Sequence, residues 1–89
     1  MRTADYTNQF KKDYKLAIKR GLDITLLDNV IRDLLNEIPL PVKNRDHYLT
    51  GAYKNCRECH IKPDWLLIYQ IKNDVVLLYR TGSHTDLFE

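Results

Sequence analysis

The sequence predicts an α+β fold in the order βααβββ, with a helical hairpin packed on one face of a small antiparallel sheet. Three observations lead there. Two amphipathic segments with apolar residues spaced at three and four are joined by "GLD". Three short segments rich in β-branched and aromatic residues follow, separated by "KPD" and "KND". A short extended start precedes both groups, and a helical pair followed by strands fits helices on one side of a sheet.

Thr7 is placed to cap the first helix, in which Phe10, Tyr14, Ala17 and Ile18 form one stripe while Lys11, Lys12, Lys15, Lys19 and Arg20 face outward. Gly21 ends it. Asp23 opens the second helix, whose apolar positions are Leu27, Val30, Ile31, Leu34, Leu35 and Ile38, and "PLP" closes it. Residues 42–52 lack periodicity and read as a loop. Strands are then expected over 53–61, 65–71 and 75–81.

A chain of 89 residues is one domain, 1–89, with a single modest core. No apolar run approaches the roughly 18 residues a membrane span needs, and the N-terminus holds no apolar signal segment. A cytoplasmic protein is expected. The net charge of +2 permits a polyanionic partner without requiring one.

"CRECH", residues 56 to 60, spells a haem-attachment motif, but covalent haem and stable disulfides go with export to oxidising compartments. On a strand, Cys56 and Cys59 would point to opposite faces with Cα atoms about 10 Å apart. A disulfide needs less than about 7 Å. Two structural thiols are therefore expected.

Hairpin register turns attention to His60. If Asn73 and Asp74 form a two-residue loop, Ile71 faces Val76, Tyr69 faces Leu78 and Arg80 faces Leu67. A turn on Pro63 sets His60 opposite Trp65 or Leu67. His60, Trp65, Leu67 and Arg80 then share a face. A three-residue loop at 72–74 would reverse Arg80. "TGSHTDLFE" brings His84 out beyond the last strand, near the turn that carries Asp64, so His60, Asp64, Arg80 and His84 are expected at one end of the sheet.

These residue types suit metal-free RNA cleavage. A base takes the proton of a ribose 2′-hydroxyl, a cation stabilises the phosphorane, and an acid protonates the departing 5′-oxygen. Histidine, with an unperturbed pKa near 6.5, can serve both proton tasks, and arginine presents a fixed fork of donors to phosphate. Trp65, Tyr79 or Phe88 could stack on a base. Zinc held by three histidines and an aspartate is the rival chemistry, although spacings of 13 and 24 match no compact ligand motif.

"RDHYLTGAYKNCRECHIKPDWLLIYQI" with "RTGSHTDLF" resembles the YafQ-type branch of the RelE/ParE toxin superfamily. The shared pattern is D-H-x-L-x-G, then R-x-x-H-x-x-P-D-W-x-L-I-Y, then R-x-G-(S/T)-H-x-x-L-F, and it runs over residues 46 to 88. The resemblance implies a RelE-like fold and a ribosome-dependent messenger RNA endoribonuclease that stops translation until its antitoxin binds. It implies catalytic roles for His47, His60, Asp64, Arg80 and His84, and substrate binding by Trp65 and Phe88. His47 enters on resemblance alone. No cofactor, metal or membrane is expected. The toxin alone would be monomeric, and would form a higher-order complex with antitoxin. The alternative within the same fold is a ParE-like toxin that binds a protein target such as gyrase.

Overall fold

The computed structural model describes residues 1–88. Its elements are β1 (Thr3–Tyr6), α1 (Asn8–Lys19), α2 (Ile24–Leu35), a 3₁₀ turn at Val42–Asn44, β2 (His47–Tyr48), a second 3₁₀ turn at Gly51–Tyr53, β3 (Arg57–Lys62), β4 (Trp65–Lys72), β5 (Val75–Gly82) and α3 (His84–Phe88). The expected order βααβββ is present, with β2 and α3 added. None of these helices is long and apolar enough to cross a membrane.

Thr7 caps α1 as expected, its Oγ1 accepting from the N–H of Phe10 at 2.9 Å, and Asp23 caps α2 by accepting from Thr25 N–H at 3.1 Å. Gly21, at φ +79°, supplies the left-handed residue that ends the first helix. Ile38 lies past the end of α2 and is exposed. The "NEIP" segment leaves the helix at Glu37, whose φ is +59°.

The sheet runs β1-β5-β4-β3-β2. It is mixed rather than wholly antiparallel, because β1 pairs with β5 in parallel, Thr3 beside Val75 through Tyr6 beside Leu78. Such a pairing needs a long crossover, and here the helical hairpin and the rest of the sheet lie between the two strands.

Each face of the sheet has its own cover. Phe10, Ala17, Leu27 and Leu34 of the hairpin pack on Cys59, Trp65, Leu67, Tyr69, Val76 and Leu78. On the reverse face Leu87 of α3 packs with Cys56, Leu66 and Ile68, with Leu49, Tyr53 and Tyr79 at the margin. β4 is therefore buried on both sides, which is why "WLLIY" is apolar throughout and carries no alternation to read. The cysteines fall on opposite faces, both free and buried, and burial pushes both thiols above their usual range.

Two bulges correct the expected register. The Asn73–Asp74 loop forms, with Ile71 beside Val76 and Tyr69 beside Leu78, but the ladder then shifts and Arg80 pairs with Ile68 rather than Leu67. Tyr79 is the extra residue. On the other side Lys62 pairs with Trp65, then the ladder shifts so that His60 pairs with Leu66, and Ile61 is extra. A bulge sets two residues against one and reverses the parity of everything beyond it. Because both His60 and Arg80 are reversed, they still share a face, now with Leu66 and Ile68. Trp65 and Leu67 are left behind on the helix side.

Candidate active site

His47 reaches the site through its neighbours. Arg45, at φ +51°, turns the chain into β2, where His47 pairs with Glu58 of β3. Next to it Asp46 is anchored to the sheet: its Oδ1 accepts from Tyr69 Oη at 2.6 Å and Arg57 Nε at 3.1 Å, and its Oδ2 lies 3.1 Å from Arg57 Nη2. Arg57 also lies over the ring of Tyr48, 4.4 Å from its centroid. The segment that looked like an aperiodic loop is therefore pinned by a buried tyrosine and an ion pair.

His47 pairs directly with Glu58, and His60 is two residues further along β3, so the three share one face. Glu58 is only 5% exposed. His47 Nε2 and His60 Nε2 each stand 3.6 Å from a different Glu58 oxygen. Sequence reasoning missed Glu58, although its alternation with His60 on an expected strand was the available signal.

His84 is placed by α3 and by the Pro63–Asp64 turn. Ser83 caps α3, its Oγ accepting from Asp86 N–H at 3.1 Å while Asp86 Oδ2 accepts from Ser83 N–H at 3.0 Å. "SHTD" is thus a capping box that the sequence reading passed over. Asp86 also binds Arg20, which caps the C-terminus of α1, with Nη1 at 2.7 Å. One oxygen of Asp64 accepts from His84 N–H at 2.9 Å and from His84 Nδ1 at 2.6 Å. These bonds hold the Asp64 carboxyl below its usual range, the backbone bond contributing most.

The three rings form a row, with centroids 6.5 Å apart for His47 and His60 and 5.8 Å apart for His60 and His84. Each Nδ1 faces an oxygen that can only accept: Arg45 O at 2.6 Å, Pro63 O at 3.3 Å and Asp64 Oδ1 at 2.6 Å for His47, His60 and His84 in turn. Each Nδ1 therefore carries the hydrogen, and each Nε2 is the variable nitrogen. Arg45, His47, Glu58, His60, Pro63 and His84 line one open depression.

The remaining expected residues divide. Phe88 is 47% exposed, its ring centroid 6.5 Å from that of His84 and edge-on to Tyr53 at 5.6 Å. Arg80 shares the histidine face by register, but its guanidinium is bound by Asp13 of α1, Nε to Oδ2 at 2.7 Å. That bond raises its pKa further. Trp65 departs from expectation: it is 3% exposed in the helix-side core, its Nε1 donating to Thr81 Oγ1 at 3.0 Å, which closes the ring to a stacking base.

A metal ion has one candidate ligand set among the described residues. Ligand atoms of Glu58, His60 and His84 lie within 4.8 Å of one another. The oxygen acceptors behind both imidazoles are the kind of partner that supports metal-ligating histidines.

A helical hairpin on a five-stranded sheet, with a histidine row where the ends of β3 and α3 meet, defines a RelE-like α+β toxin domain. Solved structures share it: the chain matches toxin in the DinJ-YafQ complex of Escherichia coli with a TM-score of 0.92 at 40% identity, covering 100% of both chains. A metal-bound toxin from Helicobacter pylori matches with a TM-score of 0.92 at 47% identity, over 99% of this chain and 100% of that one. The chain belongs to the YafQ family, whose model, described as "Bacterial toxin of type II toxin-antitoxin system, YafQ", matches residues 2–89. The mRNA interferase toxin YafQ of E. coli K12 is 41% identical over 88 residues, 98% of this chain and 96% of that protein.

Proposed function

We propose that the protein is the toxin of a type II toxin–antitoxin pair and acts in the cytoplasm as a ribosome-dependent mRNA endoribonuclease, cleaving through the ribose 2′-hydroxyl without a metal. The observation that carries the chemistry is the row His47, His60 and His84 with all three Nδ1 atoms bound to oxygen. Their Nε2 atoms are then free to trade protons with substrate. The interferase name of the E. coli relative supports the substrate, and the DinJ-YafQ complex supports an antitoxin partner.

In this reading His84 is the general acid. Asp64 fixes its tautomer and stabilises the imidazolium, as an orienting carboxylate does. His60 and His47, on either side of Glu58, supply the base and position the nucleotide. Arg80 stabilises charge on the phosphorane, and exposed Phe88 stacks on a base beside the scissile bond. Proton transfer by each group contributes on the order of 10²- to 10⁴-fold.

A purified ribosome-bound message tests this. The wild type should cut it, leave 2′,3′-cyclic phosphate ends and be indifferent to EDTA, while His84→Gln should lose cleavage by about 10²-fold or more without loss of fold. No cleavage by the wild type, with gyrase inhibited instead, would favour the ParE-like alternative.

Metal-assisted hydrolysis is the second reading, favoured by the Glu58, His60 and His84 set and by the metal-bound H. pylori relative. It predicts 5′-phosphate ends and loss of activity in EDTA.

A further inference from the structure

Asp13 is an anomaly on α1. It lies with Phe10 and Ala17 on the buried face of the helix, 7% exposed, where an apolar side chain would be expected. A carboxylate so placed is costly unless it is fully paired. It accepts four hydrogen bonds: Arg80 Nε at 2.7 Å and Thr81 N–H at 3.2 Å on Oδ2, with Arg80 Nη2 at 3.2 Å and Gln9 Nε2 at 3.1 Å on Oδ1.

The surroundings explain why Arg80 needs such a partner. β1 leaves β5 at Leu78, so Tyr79, Arg80 and Thr81 have no strand on that side. The bulge at Tyr79 falls there too, where the ladder gives least restraint. α1 grips this segment at two points. Thr7, its cap, donates N–H to Leu78 O at 3.1 Å and Oγ1–H to Tyr79 O at 2.6 Å. Six residues later Asp13 takes Thr81 N–H and the guanidinium of Arg80.

We propose that Asp13 is a positioning residue of the cleavage reaction, holding Arg80 by its Nε and Nη2 edge so that the Nη1 side of the fork is directed to the scissile phosphate. This rests on the role given above to Arg80. A guanidinium can offer one pair of donors to a carboxylate and another to a phosphate because the fork is planar and rigid. An arginine chain loose at a bulged edge would reach the same phosphate only at the cost of ordering its rotamers in the transition state.

The experiment is a double-mutant cycle on ribosome-bound message, with Asp13→Asn, Arg80→Lys and the pair, reading kcat and KM separately beside thermal melting. Lysine keeps a cation but not the fork. Asp13→Asn should lower kcat by about 10- to 10²-fold with little change in KM, as misplacement of a catalytic group does. In the Arg80→Lys background the same change should cost less than about twofold in kcat, although its effect on melting persists. An equal loss of kcat in both backgrounds, or no loss in the wild type, would overturn the role of Asp13. If Arg80→Lys and Arg80→Ala both cleave at the wild-type rate, the failure lies instead in the role of Arg80. Should Asp13→Asn not fold, Asp13→Glu, which keeps the charge but displaces it, replaces it in the cycle with the same outcomes.

Discussion

A single oxygen of Asp64 accepts both the backbone N–H and the Nδ1–H of His84, at 2.9 and 2.6 Å. The two bonds lock the ring to its own main chain across the Pro63–Asp64 turn, so the tautomer and the direction of Nε2 are set before substrate arrives. Asp64→Ala should lower cleavage by about 10²-fold, since His84 is left to rotate and to choose its tautomer. Asp64→Asn keeps an oxygen acceptor and should lose less. Rates of the two variants on one message rank them, and the reverse order would remove the orienting role.

Glu58 offers a different balance. Its side chain is largely buried, but its two oxygens open on the depression that the histidines line and stand 3.6 Å from two Nε2 atoms, beyond good hydrogen-bond distance, so no close partner holds its charge. Glu58→Gln keeps the volume and removes the charge. Cleavage should fall by at least about tenfold, while urea unfolding should show stability unchanged or increased, the trade expected where a site is arranged for chemistry. A variant that is destabilised yet fully active would mark Glu58 as purely structural.

How much of this was legible depended on period and parity. Both helices of the hairpin followed from spacing and from Thr7 and Asp23 as caps, because amphipathic period and capping chemistry are local. Asp64 beside His84 followed because each adjoins a strand end. That His60 and Arg80 share a face came out right because two bulges offset one another, but the face is that of Leu66 and Ile68 rather than of Trp65 and Leu67, and nothing in "HIKPDW" or "LLYRTG" announces the extra residue at Ile61 or Tyr79. Trp65 was misplaced for the same reason. β2 is two residues long, too short for alternation to register, and the tie from Asp46 to Tyr69 that pins it spans 23 residues. Asp13 and Glu58 were hidden because a buried acid looks like a surface one until its partners are known.

The cysteines should be chemically silent. Burial raises both thiols, so little thiolate forms near neutral pH, and neither is open to reagent. Iodoacetamide should leave the native protein unlabelled at both positions by mass spectrometry and leave cleavage intact, with labelling appearing only in denaturant. Rapid alkylation of native protein at Cys56 or Cys59 would contradict their burial.

A side chain on Gly82 would be tight against α3. A Cβ there would lie 3.0 Å from both Cβ and Oδ2 of Asp86, the residue that closes the cap of α3. Gly82→Ala should push α3 outward, with a destabilisation of about 1–3 kcal/mol, and should cost activity because His84 and Phe88 ride on that helix. Denaturant unfolding checks the first and message cleavage the second. Wild-type values for both would mean that α3 adjusts freely.

Attachment of α3 should also depend on acid pH. The Arg20 side chain, followed by Ser83 N–H, holds the Asp86 carboxyl well below its ordinary value of 3.8. A folded pKa depressed in this way contributes stability that is fully present above the unfolded value and is lost as pH falls through the folded one. Arg20→Gln removes the largest cause. Its melting temperature should therefore lie below that of the wild type by a constant margin from about pH 5 upward, and the two should converge as pH drops below about 4. Because Arg20 is half exposed, the margin should also shrink in 1 M salt, where the screening length is about 3 Å. Paired melting curves from pH 7 down to pH 2 decide it: a margin as large at pH 2 as at pH 7 would mean that Arg20 stabilises α3 by packing its chain rather than by charge, because protonation in the unfolded chain should already have narrowed it.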